Sequence, residues 1–413
     1  MDTGTENFRE LPIKQMDRRT STSDVLVHAA RQARDRKLED YLVIDVDAHH
    51  FETESWKEVI EYIEDPVVRD IGKSMERLDG TNPNALLNGE PGLGFQNVGG
   101  RIPHSGGLRG EPIDDKSVHR DVILARRAME NLGIDYQVIF PTPMLGLGLH
   151  PVPNLEINIA FAYNRWLTER ILAGDDRLTA LIYLPMCDAD AAMRTVEEFG
   201  DKKGVVGFNI TSVRHKPVHY NQFMKVYRAI EERGLTLGFH AGPTWEDEWT
   251  SQLDRFIGIH AISFVLCNLV HITNWVLHGL PERFPKLPVM WIESGLAWVP
   301  FMMQRLDNEY LMRSSEAPLL KRLPSEYMQE MYYTCQPMEK TNMKLLQSTF
   351  EAIKAETQLL YASDWPHWDF DSPSVITDIP FLSDQAKANI LGLNANRLFN
   401  LKVPERKKKF AAE

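Results

Sequence analysis

The chain is short of cysteine. Cys187, Cys267 and Cys335 are its only three in 413 residues. They form no CxxC motif and no disulfide framework, a usage that suits a reducing cytosol. No glycine-rich phosphate turn follows the first apolar run, so the usual signature of a dinucleotide-binding open sheet is missing. No apolar core of a signal peptide stands near the N-terminus. No unbroken stretch reaches the roughly 18 apolar residues expected of a membrane span. A basic excess is also missing: 46 Lys and Arg against 58 Asp and Glu give a formal net charge of −12, the wrong sign for a polyanion partner. The exception, Arg406-Lys407-Lys408-Lys409, reads as a solvated end. These absences predict a cytoplasmic protein with a small-molecule substrate and with neither nucleic acid nor membrane as partner.

Apolar residues make up 43% of the chain, enough for a sizeable core. Residues 1–40 are polar and read as an N-terminal arm that suits a homo- or hetero-oligomer. Residues 41–400 then alternate extended and helical runs. The extended runs are Tyr41–Ile44, Tyr136–Phe140, Leu178–Leu184, Gly204–Ile210, Leu235–Phe239, Leu287–Ile292, Tyr332–Thr334 and Leu359–Ala362. Helical spacing fills the gaps, as over Asn154–Ala173, from the Asp188 cap to Phe199, Tyr220–Arg233, Asp254–Gly279 and Lys340–Glu356. Such alternation implies parallel strands, and eight of them predict a (β/α)8 TIM-type barrel. Residues 65–118 form an insertion after the first strand, with turns at Gly92, Gly94, Gly99 and Gly100. A loop of that length is usually functional, and this one is placed to act as a lid or a subunit contact. Residues 401–413 are a basic tail.

Ionisable residues gather where the apolar runs end. Asp47 and His49 are two apart, so an extended strand points both to one face. His50 should face the other way, and Glu52 lies just beyond. His240, Glu293 and Asp364 end the fifth, sixth and eighth runs. In a barrel these positions converge on one mouth, and carboxylates with imidazoles there describe a site for a divalent ion. His271, His260 and His278 lie on the long apolar helix, and His271, beside Leu269 and Val270 with Asn268 and Asn274 near, joins the candidate ligands. The expected metal set is therefore Asp47, His49, Glu52, His240, His271, Glu293 and Asp364. Asp364, Glu293 and His367 are the candidate catalytic groups. Trp245, Trp298, Trp365 and Trp368 are candidates to wall a pocket.

Several blocks together resemble the amidohydrolase-related family, in the branch that includes aminocarboxymuconate semialdehyde decarboxylase. They are Gly133-Ile-Asp-Tyr-Gln-Val-Ile-Phe-Pro141, Tyr163-Asn-Arg-Trp166, Leu178 to Pro185, Gly238-Phe-His-Ala-Gly242, Glu282-Arg-Phe-Pro285, Glu293-Ser-Gly-Leu-Ala-Trp298 and Ser363-Asp-Trp-Pro-His367. The resemblance implies a metal-bearing (β/α)8 barrel. By position it assigns Asp47 and His49 to the strand-one ligand pair, His240 to the strand-five histidine and Asp364 to the strand-eight aspartate. Two departures stand out. Family decarboxylases usually carry histidine where this chain has Glu293. Strand four ends at Asn209, not at the bridging lysine of many two-metal hydrolases.

Three chemistries fit such a site. The surplus of oxygen ligands favours a dinuclear iron or manganese centre, and the family is known to include a dinuclear monooxygenase branch. The leading expectation is therefore O2-dependent hydroxylation of a small organic substrate. The alternatives are hydrolysis by a metal-activated water or non-oxidative decarboxylation, either with zinc as a candidate metal. A third is a non-catalytic metal-binding subunit of a hetero-oligomer.

Overall fold

The computed structural model describes residues 22–79, 113, 115–213, 216–244 and 247–410. Eight strands form one sheet in the order of the sequence. They are β1 (Ile44–His50), β2 (Tyr136–Pro141), β3 (Leu178–Tyr183), β4 (Val205–Ile210), β5 (Thr236–His240), β6 (Val289–Ile292), β7 (Tyr332–Thr334) and β8 (Leu359–Leu360). Consecutive strands pair in parallel from β1 to β8. The chain after β8 returns to β1: Val46 N donates to Tyr361 O at 3.0 Å, Asp364 N to Asp47 O at 2.7 Å and His49 N to Trp365 O at 2.7 Å. These bonds close the sheet into a (β/α)8 barrel.

The strands are near-continuous apolar runs because both their faces are covered, by barrel core within and helices without. The main helices are α1 (Thr22–Asp35), α2 (Arg120–Leu132), α3 (Pro153–Trp166), α4 (Ala189–Phe199), α5 (Met224–Glu232), α6 (Phe256–Leu277), α7 (Trp298–Arg313) and α8 (Met343–Ala352). Local chemistry sets several ends. Asp188 caps α4 by accepting from the backbone N–H of Asp190 and Ala191, as its side chain predicts. Gly133 ends α2 in the left-handed region at φ 76°, where a side chain would be strained. The helix expected over Lys340–Glu356 is shorter at both ends. Asn342 caps α8 by accepting from Leu345 N, and Lys354 is left-handed at φ 54°.

Four expectations need correction or limits. Strand β1 begins at Ile44 and runs through His50, so Asp45, Asp47 and His49 lie inside a fully buried strand rather than beyond its end. Helix α6 carries no Lys, Arg, Asp or Glu over its 22 residues, and by length and composition it could cross a membrane. The C-terminal tail is not wholly solvated. Lys407 is 3% exposed, and its Nζ donates to Leu38 O at 3.0 Å and Tyr41 O at 2.6 Å, with Asp135 at 3.2 Å. Of the N-terminal arm, α1 packs on α2, while residues 1–21 lie outside the described residues. So do 80–112 and 114, which hold the insertion's glycine turns, and Trp245.

Candidate metal centre

The pleat of β1 does what its alternation predicts. Asp45, Asp47 and His49 share one face, toward the barrel axis. His50 turns outward, where Nε2 meets Tyr163 OH at 2.8 Å and Nδ1 meets Asp121 at 3.1 Å, and its ring stacks on Trp166. Asp45 is a clamp beneath the mouth. It accepts from Ser363 N at 2.8 Å, Ser363 Oγ at 2.6 Å and Gln137 Nε2 at 3.2 Å, tying β1 to both neighbours. Burial pushes its carboxyl up to about 7 despite those donors.

Above it, Asp47, His49, His240 and Glu293 converge, all buried. Nε2 of His49 lies 3.2 Å from Asp47 Oδ1, 3.3 Å from Asp364 Oδ1 and 3.7 Å from Glu293 Oε2. Nε2 of His240 lies 3.2 Å from both Asp47 Oδ1 and Glu293 Oε2. A second group overlaps the first and consists of His49, Glu293, Asp364 and His367. His367 reaches Asp364 through Nδ1 at 2.6 Å, and its Nε2 lies 3.2 Å from Thr142 Oγ1.

The donor set fits a divalent cation. Nδ1 of His49 sits 2.9 Å from Pro141 O and Nδ1 of His240 sits 2.8 Å from Ala241 O. A carbonyl can only accept, so each Nδ1 carries hydrogen and each Nε2 is left to offer its lone pair inward. Asp47 Oδ2 and Glu293 Oε2 are buried without a hydrogen-bond donor. Ligands about 2.1 Å from one ion stand roughly 3.0–3.4 Å from each other, and every quoted Nε2–carboxylate pair of His49 and His240 but His49 with Glu293, at 3.7 Å, falls in that range. The carboxyl groups divide in their electrostatics. Burial raises Asp47, but His240 and His49 outweigh it and hold the group at about 2. Burial raises Glu293 and Asp364 well above the usual carboxylate range, and Asp47 and Asp369 for the one, Glu293 and Asp369 for the other, add to the rise.

Glu293 and Asp364 share another feature. They follow β6 and β8 with left-handed backbone at φ 48° and 57°. Residues without glycine's freedom are held there at a cost of about 1–3 kcal/mol, and such strain gathers at functional sites. The turn after β6 is then tightened by Glu339, which accepts from Leu296 N and Ala297 N. At Gly295, with φ 65°, a Cβ would meet that carboxyl at 3.0 Å.

Two expected ligands lie elsewhere. Glu52 is buried, but its two oxygens accept from Met144 N at 2.7 Å and Thr142 N at 3.0 Å, so it caps the turn after β2. His271 packs on Phe239 at 5.3 Å, outside both groups of converging ligands, and burial lowers it to about 4. Of the other helix histidines, His278 stacks on His219 and His260 faces Asp369. Trp298 donates to Gly295 O, Trp365 packs on Phe370 and lines a cavity with His49, His50 and Phe51, and Trp368 stands against His260. Asp369 and Gln336 were not anticipated. Asp369 lies two residues beyond His367, a spacing that could have drawn attention to it, but Gln336 carried no signal.

A buried carboxylate and imidazole cluster at the C-terminal mouth of a (β/α)8 barrel defines a metal-dependent enzyme. The amidohydrolase family pattern matches residues 44–401, and the chain belongs to that family. It is 24% identical over 258 residues to a gamma-resorcylate decarboxylase of Rhizobium radiobacter, covering 59% of this chain and 77% of that protein. Among solved structures, the 5-carboxyvanillate decarboxylase of Sphingomonas paucimobilis superposes with a TM-score of 0.61 at 20% identity, covering 88% of this chain and 100% of the other. A dihydroxybenzoic acid decarboxylase of Polaromonas, solved with bound manganese and 2-nitroresorcinol, gives a TM-score of 0.60 at 17% identity, covering 89% and 99%. These relatives overturn the expectation of O2-dependent hydroxylation, since they are decarboxylases. The physical reason for the error is the ligand count. It counted Glu52 and Glu293, with His50, His271 or His367, toward a second ion, and the fold commits Glu52, His50 and His271 to other positions.

Proposed function

We propose that this protein is a metal-dependent decarboxylase that releases CO2 from a small aromatic carboxylic acid without oxygen. The observation that carries the reading is the convergence of Asp47, His49, His240 and Asp364 on one mouth, in a chain whose relatives are decarboxylases. His49 and His240 through Nε2, with Asp47 and Glu293, would hold the ion, manganese being a suitable one. When bound, it would fix the substrate carboxylate and polarise it as a Lewis acid.

The chain's own residues would move the proton. Loss of CO2 from an aromatic ring breaks the ring–carboxyl bond, and its electron pair stays on the ring carbon. That carbon takes a proton, so one substrate and one proton give one arene and one CO2. Asp364 suits the donor role by its position, beside the metal cluster and in contact with His367. His367, 2.6 Å away, would orient it and return the proton. Free cysteines support a cytoplasmic setting.

The test is anaerobic incubation of the manganese-loaded protein with substituted benzoates. CO2 release matched by the ring-protonated product is expected. Amide cleavage with no CO2 from any benzoate would replace this reading with hydrolysis.

A further inference from the structure

One corner of the mouth is not used by the mechanism above. Gln336, fully buried after β7, donates through Nε2 to Asp364 Oδ2 at 3.2 Å and to Asp369 Oδ2 at 3.3 Å. Two carboxylates thus set the orientation of its amide, because only the NH2 end can donate to them. Its Oε1 is left without a donor, and so is Asp369 Oδ1. His260 of α6 faces Asp369 Oδ2 at 3.6 Å. Trp368, Phe256 and Phe264 surround the His260 ring at 5.2, 5.5 and 5.4 Å. The corner therefore presents two buried acceptors in want of donors, beside aromatic walls.

The charge balance points the same way. Asp47, Glu293, Asp364 and Asp369 lie close enough for their charges to act on one another. Among the described residues, the ion pairs of these four come from histidines, and neither lysine nor arginine reaches them. Asp369 itself faces only the imidazole of His260 among the described ion pairs, so its charge has no fixed positive partner there.

We propose that the Asp369, Gln336 and His260 corner binds a cationic amine carried by the substrate. The substrate class is then an aromatic acid with an ammonium group, its carboxylate toward the metal cluster and its amine toward Asp369. An ammonium supplies three donors, and its charge suits the carboxylate of Asp369. This proposal deepens the decarboxylase reading and rests on it for the placement of the carboxylate.

Binding to the manganese-loaded protein, measured by calorimetry, tests it. The probes are meta-(aminomethyl)benzoate, meta-(hydroxymethyl)benzoate and meta-ethylbenzoate. The amine should bind at least about tenfold more tightly than the other two, the scale of a buried charge-assisted hydrogen bond. Asp369→Asn should erase that preference while manganese content and meta-ethylbenzoate binding persist. Equal or weaker binding of the amine overturns the proposal, and the wild-type comparison stands even where the variant does not fold. A preference that survives in Asp369→Asn overturns it as well. So do two manganese ions per chain with one lost in Asp369→Asn, which would give the surplus charge to a second ion. The readout needs no turnover. Amine preference without CO2 release sinks the decarboxylase reading alone, and CO2 release from neutral acids without amine preference sinks this one alone.

Discussion

The Nε2 atoms of His49 and His240 lie 3.3 Å apart. Neither donates to the other, because each ring has placed its hydrogen on Nδ1 against a carbonyl. Two lone pairs that close, in a dry site, call for a cation between them and the carboxylates.

That relationship separates His49 from its neighbour His50. His49→Ala should cut manganese occupancy by tenfold or more at limiting metal (about the loss expected at a metal site). His50→Ala removes bonds to Tyr163 and Asp121 on the outer face. It should lower the melting temperature and leave metal content near that of wild type. Elemental analysis beside thermal melts checks both, and equal metal loss in the two variants would refute the assignment.

Metal should also stabilise the fold. At a free manganese concentration of 100 times its Kd, linkage adds about 2.7 kcal/mol. Chelation is expected to lower the denaturation midpoint, and manganese, not sodium, should restore it.

Asp364→Asn removes the proposed proton donor and keeps its shape. The rate of CO2 release should fall roughly 100- to 10,000-fold with a smaller change in KM. Steady-state kinetics together with metal analysis distinguish this from simple loss of the ion.

The pH dependence of stability follows from Asp45 and Glu156, whose carboxyls burial raises to about 7. A raised folded-state value means that the native state holds more protons than the unfolded chain. Their contribution is complete below the ordinary carboxyl range of about 4 and is lost as pH rises toward 7. Urea midpoints of the metal-free protein should therefore be higher at pH 5 than at pH 7.5. Asp45→Asn should flatten the slope, and an unchanged slope would show that Asp45 does not titrate there.

Lys407 anchors the tail by donating to two backbone carbonyls beside Asp135. Lys407→Met would leave those carbonyls and a buried carboxylate without their cation. A loss of about 3–5 kcal/mol is expected, read from urea unfolding, with CO2 release at low temperature unaltered.

Much of this was legible in the chain. The apolar runs and their spacing were sufficient for the barrel, because each strand is buried on both faces and each helix on one. The alternation Asp45, Asp47, His49 was readable for the same local reason: a strand has a period of two. Other features were out of reach. Glu52 follows that strand and has ligand chemistry, yet its carboxylate is taken by backbone amides that only β2 brings near. His271 has the right side chain on a helix whose rotation keeps it beside Phe239. Lys407 looked solvated because a run of like charge usually is, and its carbonyl partners lie more than 360 residues away in sequence.

By itself, then, the sequence determined the strand and helix order, the shared face of Asp47 and His49, and the placing of His240, Glu293 and Asp364 at strand ends. Local periodicity and turn chemistry carry that information. Only the tertiary structure decided which of those groups meet, that Glu52 and His271 stand apart, and that Gln336 and Asp369 join. Closing β8 onto β1 sets those distances, and that contact spans nearly the whole barrel sequence.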